Sequence, residues 1–186
     1  MSKQYYMACI DLEGRRCVVV GGGAVAAEKV AGLLTCDARV TVVAPELHDD
    51  LREAPIQWRR RGYRATDLAG AFLVIAATDD RSVNERVHHD AEARGLLCNV
   101  ADVPELCNFI LPAVHREGPI AVAVSTGGAS PALAKRIRSE IAERIGPEHA
   151  ELAERLQALR PEVKQRFPTY EERRDYFEAL VAEALG

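Results

Sequence analysis

Three consecutive glycines stand where an apolar run changes into a helical pattern. The segment Arg16–Val20 is rich in β-branched residues, and apolar residues recur at helical spacing from Ala24 onward. Gly21, Gly23 and Ala26 then match the G-x-G-x-x-G/A fingerprint of a dinucleotide-binding turn. Such a turn brings the backbone and the first helical N–H groups close to a pyrophosphate. The spacing predicts a redox enzyme that binds a nucleotide cofactor at Gly21, Gly22, Gly23, Ala24 and Val25. The alternative is a tight strand–helix turn that binds nothing.

Two further side chains with chemical potential follow other predicted strands. Asp102 comes after the strand Leu96–Val100, and Thr78 comes after the apolar strand Phe72–Ala77. Ligands of open α/β sheets bind beyond the carboxyl ends of the strands, so the Thr78 hydroxyl is expected to contact the nicotinamide half of the cofactor. The alternative for Thr78 is a helix N-cap, either there or at Asp79. For Asp102 it is a turn in which the carboxylate bonds to its own backbone.

The elements that position these residues alternate between strand and helix. Further strands are predicted at Arg39–Ala44 and Ile56–Arg59, and a helix is predicted from Asp79 to Arg94. This alternation predicts an α/β fold, with a Rossmann-like parallel sheet covered by helices on both faces.

The pattern changes after Pro112. One strand is predicted at Pro119–Ser125, and Ser130 and Pro131 begin a helix. That helix carries an apolar stripe and is expected to end at Gly146; the stripe consists of Leu133, Ile137, Ile141 and Ile145. The remaining chain is predicted to be helical to about residue 185, with a break near Phe167. Because one strand and one helix cannot bury their own apolar faces, we expect a homodimer.

Composition excludes several classes of protein. The chain has 186 residues and a net charge of −4, so a general nucleic-acid-binding role is not expected. No apolar run approaches the length of about 18 residues that spans a membrane, and the start lacks a signal-peptide pattern, so a cytoplasmic location is expected. The five cysteines and five histidines have no metal-ligand spacing, and no metal site is predicted.

Four segments together resemble the precorrin-2 dehydrogenases that form the amino-terminal part of siroheme synthases. They are residues 20–26 (VGGGAVA), 76–80 (AATDD), 99–112 (NVAD with FILP) and 123–131 (AVSTGGASP). The resemblance implies an NAD-binding domain over residues 1–112, a dimerisation segment over 113–146 and a small carboxy-terminal helical domain over 147–186. It also implies NAD-dependent oxidation of precorrin-2 to sirohydrochlorin, with insertion of ferrous iron in some members. No methyltransferase domain is expected, since the sequence stops at Gly186.

The resemblance also implies roles for individual residues. Asp102 would be the catalytic acid/base, and the backbone at Pro45 and Glu46 would line the adenosine site. Position 44, where a ribose-binding carboxylate is usual, is an alanine. No nearby pair of arginines suits the 2′-phosphate of NADP, and Arg52 is the one candidate that stays open. NAD is therefore favoured over NADP.

The tetrapyrrole substrate carries many carboxylates, which require cations or N–H donors. Candidates are His115, Ser125, Thr126, Gly127 and Lys135, followed by the helix cations Arg136, Arg138, Arg173 and Arg174. Thr126 is also a conceivable phosphorylation site. Three alternatives stay open at this point: an enzyme that also inserts ferrous iron, an NAD-sensing module without chemistry, and, more remotely, a methyltransferase.

Overall fold

The computed structural model describes residues 4–186, which form two compact units, Gln4–Leu111 and Pro112–Gly186. We call them the amino-terminal and the carboxy-terminal unit. No helix within the described residues is both long and apolar enough to cross a membrane.

The amino-terminal unit contains a parallel five-stranded sheet with the order β3-β2-β1-β4-β5. The strands are β1 (Arg16–Val20), β2 (Arg39–Val43), β3 (Gln57–Arg59), β4 (Leu73–Ala76) and β5 (Leu97–Val100). The helices are α1 (Ala24–Leu34), α2 (Asp49–Arg52) and α3 (Arg81–Glu92), with 3₁₀ turns at Ala65–Leu68 and Pro104–Leu106. The predicted α/β class and parallel sheet are confirmed.

Strand β1 explains why both faces of this sheet are covered. Its alternate residues Cys17 and Val19 pack into the core on the α1 side, with Ala26 and Val30. Val18 and Val20 point the other way, into the core that contains Val87 and Ala91 of α3. A strand that is apolar on both faces needs a covering layer on each, which parallel strands receive from their crossover helices.

The carboxy-terminal unit begins with an antiparallel hairpin of β6 (Ala113–Glu117) and β7 (Ile120–Val124). The prediction of a single strand here was wrong, because β6 was missed. Its sequence, AVHRE, has three polar residues in five and gives no strand pattern of its own. Pairing with β7 through the turn at Gly118, which has a φ of 52°, makes it a strand.

Three helices complete this unit: α4 (Pro131–Ala142), α5 (Pro147–Arg166) and α6 (Tyr170–Leu185). Ser130 caps α4 by accepting the N–H of Leu133, as predicted. The expected end of that helix at Gly146 was wrong: α4 stops at Ala142, and Gly146 is instead the N-cap of α5. The predicted break near Phe167 is confirmed, since Phe167 ends α5 and Thr169 caps α6.

Candidate functional site

The carboxyl ends of β1, β4 and β5 lie side by side in register. Val20 is level with Ala76, and Ala76 is level with Val100. Adjacent strands are about 4.8 Å apart, so the ends of β1 and β5 are separated by about 10 Å. The strand order reverses between β1 and β4, and in open α/β sheets this switch point is where ligands bind. The glycine turn, Thr78 and Asp102 therefore follow three neighbouring strands at one edge.

The first two glycines are required by the backbone around them. Gly21 has a φ of 119°, and a Cβ there would overlap the carbonyl oxygen of Ala77. A Cβ on Gly22 would overlap the carbonyl oxygen of Glu46. Gly23 differs, because no atom lies within 4 Å of the position of its Cβ. The turn is thus packed tightly on the protein side and open above Gly23.

The start of α1 has unused hydrogen-bond donors. Its N-cap, Gly23, has no side chain, and its first turn contains no acidic residue. The first helical hydrogen bond joins the N–H of Ala27 to the carbonyl of Gly23 at 3.0 Å. Within residues 4–186, the N–H groups of Ala24, Val25 and Ala26 have no partner. These donors and the positive end of the helix dipole fit a pyrophosphate, so the residues present suit a dinucleotide.

The end of β2 borders the same turn. Ala44 is buried, and its carbonyl accepts a hydrogen bond from the indole N–H of Trp58 at 2.9 Å. Pro45 and Glu46 are exposed, and the Glu46 carbonyl lies against Gly22. Their placement next to the glycine turn is compatible with the predicted adenosine site, which stays a prediction.

Asp80, and neither Thr78 nor Asp79, is the N-cap of α3, so the predicted alternative for Thr78 was wrong. The Asp80 carboxylate accepts the N–H groups of Ser82 at 2.9 Å and Val83 at 3.3 Å. The hydroxyl of Ser82 also donates to it, and this bond, with those N–H groups, lowers the pKa of Asp80. A carboxylate that already accepts three donors is a helix cap and not a free base.

Thr78 is instead clamped by Asn84, a buried residue of α3. The Thr78 N–H lies 3.3 Å from the side-chain oxygen of Asn84, and the Thr78 hydroxyl lies 2.8 Å from it. The Asn84 amide donates to the Thr78 carbonyl at 2.9 Å. Since its hydrogen is used within the protein, the Thr78 hydroxyl can only accept a hydrogen bond from a ligand.

Asp102 sits in a turn with an unusual backbone conformation. The N–H of Val103 donates to the carbonyl of Val100 at 3.3 Å, and Asp102, third of these four residues, has a φ of 61°. Positive φ at the third position is the pattern of a type II turn, which favours Gly or Asn. The side chain is exposed, and its carboxylate has no hydrogen-bond partner within residues 4–186. The predicted bond from this carboxylate to its own backbone does not form.

A run of three arginines that begins at the last residue of β3 was missed by the sequence analysis. Arg59 and Arg61 both bind the carboxylate of Asp67, which is fully buried. Burial would raise the pKa of Asp67, but hydrogen bonds from Arg61, from the Arg64 N–H and from Arg59 outweigh it and lower the pKa. Two of the arginines are therefore engaged by a carboxylate and are not free for a phosphate. The signal that could have revealed the cluster is the run RRR at the end of a short strand.

In the carboxy-terminal unit, the loop before α4 is closed by its own hydrogen bonds. The Thr126 hydroxyl donates to the Ser130 carbonyl at 3.1 Å and accepts the Ser130 N–H at 3.0 Å. The Gly127 N–H donates to the Ser125 hydroxyl at 3.2 Å. Gly128 has a φ of 87° and is exposed, and its N–H has no partner within residues 4–186. Most hydrogen-bond donors of this loop are therefore used within the loop and are not free to bind a substrate carboxylate.

The other predicted substrate residues of this unit differ in how engaged they are. A ring nitrogen of His115 bonds the Ile145 carbonyl at 2.9 Å, which ties β6 to the segment after α4. Lys135 is exposed on α4, and its ammonium has no partner among the residues that the structure describes. Arg136 pairs with Glu140 at 2.7 Å, and Arg174 pairs with Asp175 at 2.5 Å. Among residues 4–186, no group of three or more potential ligands could hold a metal ion.

Three family models match consecutive parts of the chain. A putative NAD(P)-binding family matches residues 8–113, the central part of a sirohaem biosynthesis protein matches 117–144, and a sirohaem synthase dimerisation region matches 148–186. The chain belongs to the sirohaem-biosynthesis family of NAD(P)-binding proteins. The dimerisation model lies on α5 and α6, after the segment to which the sequence analysis assigned dimerisation.

Relatives and a solved structure agree with this family. Over 98% of this chain, the sequence is 41% identical to siroheme synthase of Nitrosococcus oceani. Over 95% of this chain, it is 43% identical to siroheme synthase of Methylobacillus flagellatus. It spans only 40% and 39% of these curated relatives. The solved structure of SirC, a precorrin-2 dehydrogenase, matches with a TM-score of 0.80 and 27% identity, over 95% of this chain and 89% of that one.

Proposed function

We propose that this chain oxidises precorrin-2 to sirohydrochlorin with NAD as the hydride acceptor. One arrangement carries the proposal. The start of α1, whose first N–H groups have no side-chain cap, and the free carboxylate of Asp102 lie at the same edge of the sheet, two strands apart. The similarity to a precorrin-2 dehydrogenase supports the choice of substrate.

The glycine turn holds the cofactor. The N–H groups of Ala24, Val25 and Ala26 donate to the pyrophosphate, and the absent side chain of Gly23 leaves room for it. The backbone of Pro45 and Glu46 lines the adenosine. NAD is favoured over NADP because the exposed Glu46 carboxylate would repel the 2′-phosphate of NADP. Arg59 and Arg61 are not available to bind that phosphate, since both pair with Asp67.

The residues that follow β4 and β5 contact the nicotinamide half of the cofactor and the substrate. When bound, NAD supplies a nicotinamide that accepts a hydride. Thr78 orients this ring by accepting a hydrogen bond at its hydroxyl oxygen, because its hydrogen already serves Asn84. Oxidation removes a hydride and a proton from the substrate, and the Asp102 carboxylate takes the proton. It suits that task because it is exposed and no donor within residues 4–186 competes for it.

The carboxy-terminal unit binds the carboxylates of the substrate. Lys135 supplies a free cation. In the loop of Ser125, Thr126 and Gly127, the Ser125 hydroxyl accepts the Gly127 N–H and keeps its own hydrogen for a carboxylate. His115 completes the set through the side of its ring that does not bond Ile145. The chain acts as a homodimer, which the match of α5 and α6 to a dimerisation region supports.

Insertion of ferrous iron into sirohydrochlorin is a second candidate reaction, favoured by the relatives named siroheme synthase. Iron is a substrate in that reaction, and Asp102 would accept protons that leave the ring nitrogens. Anaerobic incubation of the protein with sirohydrochlorin and ferrous iron tests it by the change in the absorption spectrum of the tetrapyrrole. The cytoplasmic location inferred from the sequence stays a prediction.

The decisive experiment mixes the protein with precorrin-2 and NAD under anaerobic conditions and follows the absorbance of NADH. Asp102→Asn is expected to lower kcat by about 100-fold, in the range of a lost general base, with the Kd for NAD within about twofold of wild type. Asp37→Asn is the matched control, because Asp37 is also exposed and also has a positive φ, of 54°. It is expected to turn over normally.

Two results would contradict the proposal. Intact NAD binding without any NADH formation by the wild-type protein would favour an NAD-sensing module. Full activity of Asp102→Asn would remove the assigned base while leaving the dehydrogenase in place.

A further inference from the structure

The thiol of Cys107 contacts the backbone on both sides of Asp102. Its sulfur lies 3.3 Å from the Val100 carbonyl and 3.4 Å from the Val103 carbonyl, and its hydrogen can donate to either. The N–H of Val100 points to the sulfur at 3.2 Å. These contacts belong to the first and last residues of the turn that carries Asp102. A single buried atom therefore joins the two ends of that turn.

The sulfur is itself held in place by the chain around it. The Cys107 N–H donates to the Pro104 carbonyl at 3.2 Å. The next residue, Asn108, donates its N–H to the Cys98 carbonyl at 3.1 Å and accepts the Cys98 N–H on its side chain at 2.7 Å. The side-chain amide of Asn99 lies 3.5 Å from the sulfur. The segment that bears Cys107 is thus fixed to β5 by hydrogen bonds.

The turn needs such support because Asp102 has an unfavourable backbone conformation. A residue with a side chain seldom adopts a φ of 61°, and such a conformation persists where surrounding contacts enforce it. The Asp102 carboxylate contributes nothing to this, since it has no partner within residues 4–186. The support comes instead from the Val100–Val103 hydrogen bond and from Cys107.

We propose that Cys107 is a positioning residue that sets the place of the Asp102 carboxylate at the sheet edge. The inference rests on the proposed function, in which Asp102 accepts the substrate proton. Cys107 touches neither substrate nor cofactor in this role. It acts by fixing the backbone from which the Asp102 side chain extends, and a small displacement of a base from its proton lowers the rate steeply.

Three variants separate the polar role of the thiol from its volume. Cys107→Val is apolar and one methyl group larger but cannot hydrogen-bond, whereas Cys107→Ser keeps a donor and an acceptor. Cys98→Val is the matched control, because Cys98 is a fully buried thiol of β5 that makes no side-chain hydrogen bond within residues 4–186. Both valine variants introduce the same atoms into the same core, which also contains Val87 and Val100.

Anaerobic turnover of precorrin-2 gives the kinetic test. Cys107→Val is expected to lower kcat by about tenfold and to leave the KM for NAD within about twofold, because the glycine turn is unaffected. Cys107→Ser should regain most of the rate, and Cys98→Val should keep it. In the Asp102→Asn background, Cys107→Val should cause no further loss, since the group that it positions is gone. A full rate in Cys107→Val, or the same loss in both backgrounds, would overturn the proposal.

Amide hydrogen exchange tests the positioning without any turnover. In Cys107→Val the Val103 amide is expected to exchange at least about tenfold faster than in wild type, because its bond to Val100 opens more often. Cys98→Val should leave this amide unchanged. If the wild-type protein formed no NADH but exchange responded in this way, the positioning would stand and the dehydrogenase assignment would fail. Unchanged exchange in Cys107→Val would remove the positioning role even in an active enzyme.

Discussion

The main-chain carbonyl oxygen of Ala77 occupies the position that a Cβ atom on Gly21 would need. The contact joins the turn after β1 to the end of β4, the two strands between which the sheet order reverses. The Gly21 N–H also donates to the Val43 carbonyl at 3.0 Å, so the end of β2 is attached to the same residue. A single glycine therefore holds three strand ends together beneath the predicted pyrophosphate site.

Substitutions of Gly21 and Gly23 are expected to fail in different ways. Gly21→Ala places a methyl group on a backbone oxygen at a φ of 119°, and we expect it to lower the free energy of unfolding by about 3 kcal/mol or more. Gly23→Ala meets no protein atom within 4 Å and should lower stability by only about 1 kcal/mol, because alanine is a poorer N-cap than glycine. Its methyl group would project into the space of the pyrophosphate and weaken NAD binding by at least about tenfold. Urea unfolding and calorimetric titration with NAD measure the two effects.

Gly32→Ala is the control for this pair. Gly32 lies exposed in the last turn of α1 with no atom within 4 Å of its Cβ position, and alanine there should stabilise the helix by up to about 1 kcal/mol. NAD affinity should not change. Normal NAD binding by Gly23→Ala would show that the cofactor does not approach the chain at this glycine.

The parts of the fold that the sequence predicted are those determined by neighbouring residues. Strand β1 and helix α1 follow from a β-branched run, a glycine turn and helical spacing, all within about 20 residues. The start of α4 follows from Ser130 and Pro131 in the same way. Strand β6 could not be predicted from its own sequence, because its mostly polar residues form a strand only through pairing with β7.

The candidate site shows the same division. The positions of Gly21 and Asp102 at strand ends could be predicted, since a strand end is a local feature. Their supports could not, because Asn84 reaches Thr78 across a turn and Cys107 folds back to Val100. Both supporting residues looked like ordinary helix or core residues in the sequence. Side-chain contacts of this kind span only six and seven residues, but they leave no periodic pattern in the sequence.

Asp102→Gly is expected to separate stability from activity. Glycine adopts a φ of 61° without strain, so the free energy of unfolding should stay unchanged or rise by up to about 1 kcal/mol. The dehydrogenase rate should fall at least as far as in Asp102→Asn. Thermal unfolding and anaerobic turnover give the two quantities.

Asp37→Gly relieves a similar backbone conformation at a different place. Asp37 follows α1 at the opposite edge of the sheet, and its φ is 54°. The same small gain in stability is expected there, with full activity. A large loss of stability in Asp102→Gly would mean that its carboxylate supports the turn after all.

Asn84→Ala is expected to weaken both the fold and the cofactor site. It removes the Asn84 contacts of three Thr78 groups. The Thr78 hydroxyl keeps the Asp80 carbonyl at 3.0 Å, and leaving the half-buried N–H and carbonyl unpaired should cost about 1 kcal/mol. Because Thr78 then loses its fixed place, NAD affinity should fall by about fivefold, which corresponds to about 1 kcal/mol, the net contribution of one hydrogen bond.

Asn108→Ala provides the comparison for Asn84. Asn108 also bonds backbone groups, the Cys98 N–H at 2.7 Å and the Leu96 carbonyl at 2.8 Å, but on the outer side of β5. It should lose a similar amount of stability without a change in the Kd for NAD. Equal losses of NAD affinity in the two variants would assign the effect to general loosening of the sheet.

Asp67 is expected to give the protein an acid-sensitive stability. Hydrogen bonds from arginines and from the Arg64 N–H hold its pKa well below the value of about 3.9 that it has in the unfolded chain. Its contribution is therefore fully present above about pH 4 and is lost as the pH falls below that value. Asp67→Asn should lower the free energy of unfolding by about 3 kcal/mol near neutral pH, because Arg59 and Arg61 lose their buried partner. The difference from wild type should shrink steadily between about pH 4 and pH 2.

Urea unfolding of both proteins across this pH range measures the difference. Glu85→Gln is the control, since Glu85 pairs with Arg81 at 2.8 Å on the exposed face of α3. A surface pair of this kind contributes little, and the change should stay below about 0.5 kcal/mol at each pH. A difference between wild type and Asp67→Asn that stayed constant down to about pH 2 would mean that the Asp67 charge does not stabilise the fold. The buried Asp67 and its partly exposed partners Arg59 and Arg61 would then act only through packing and neutral hydrogen bonds.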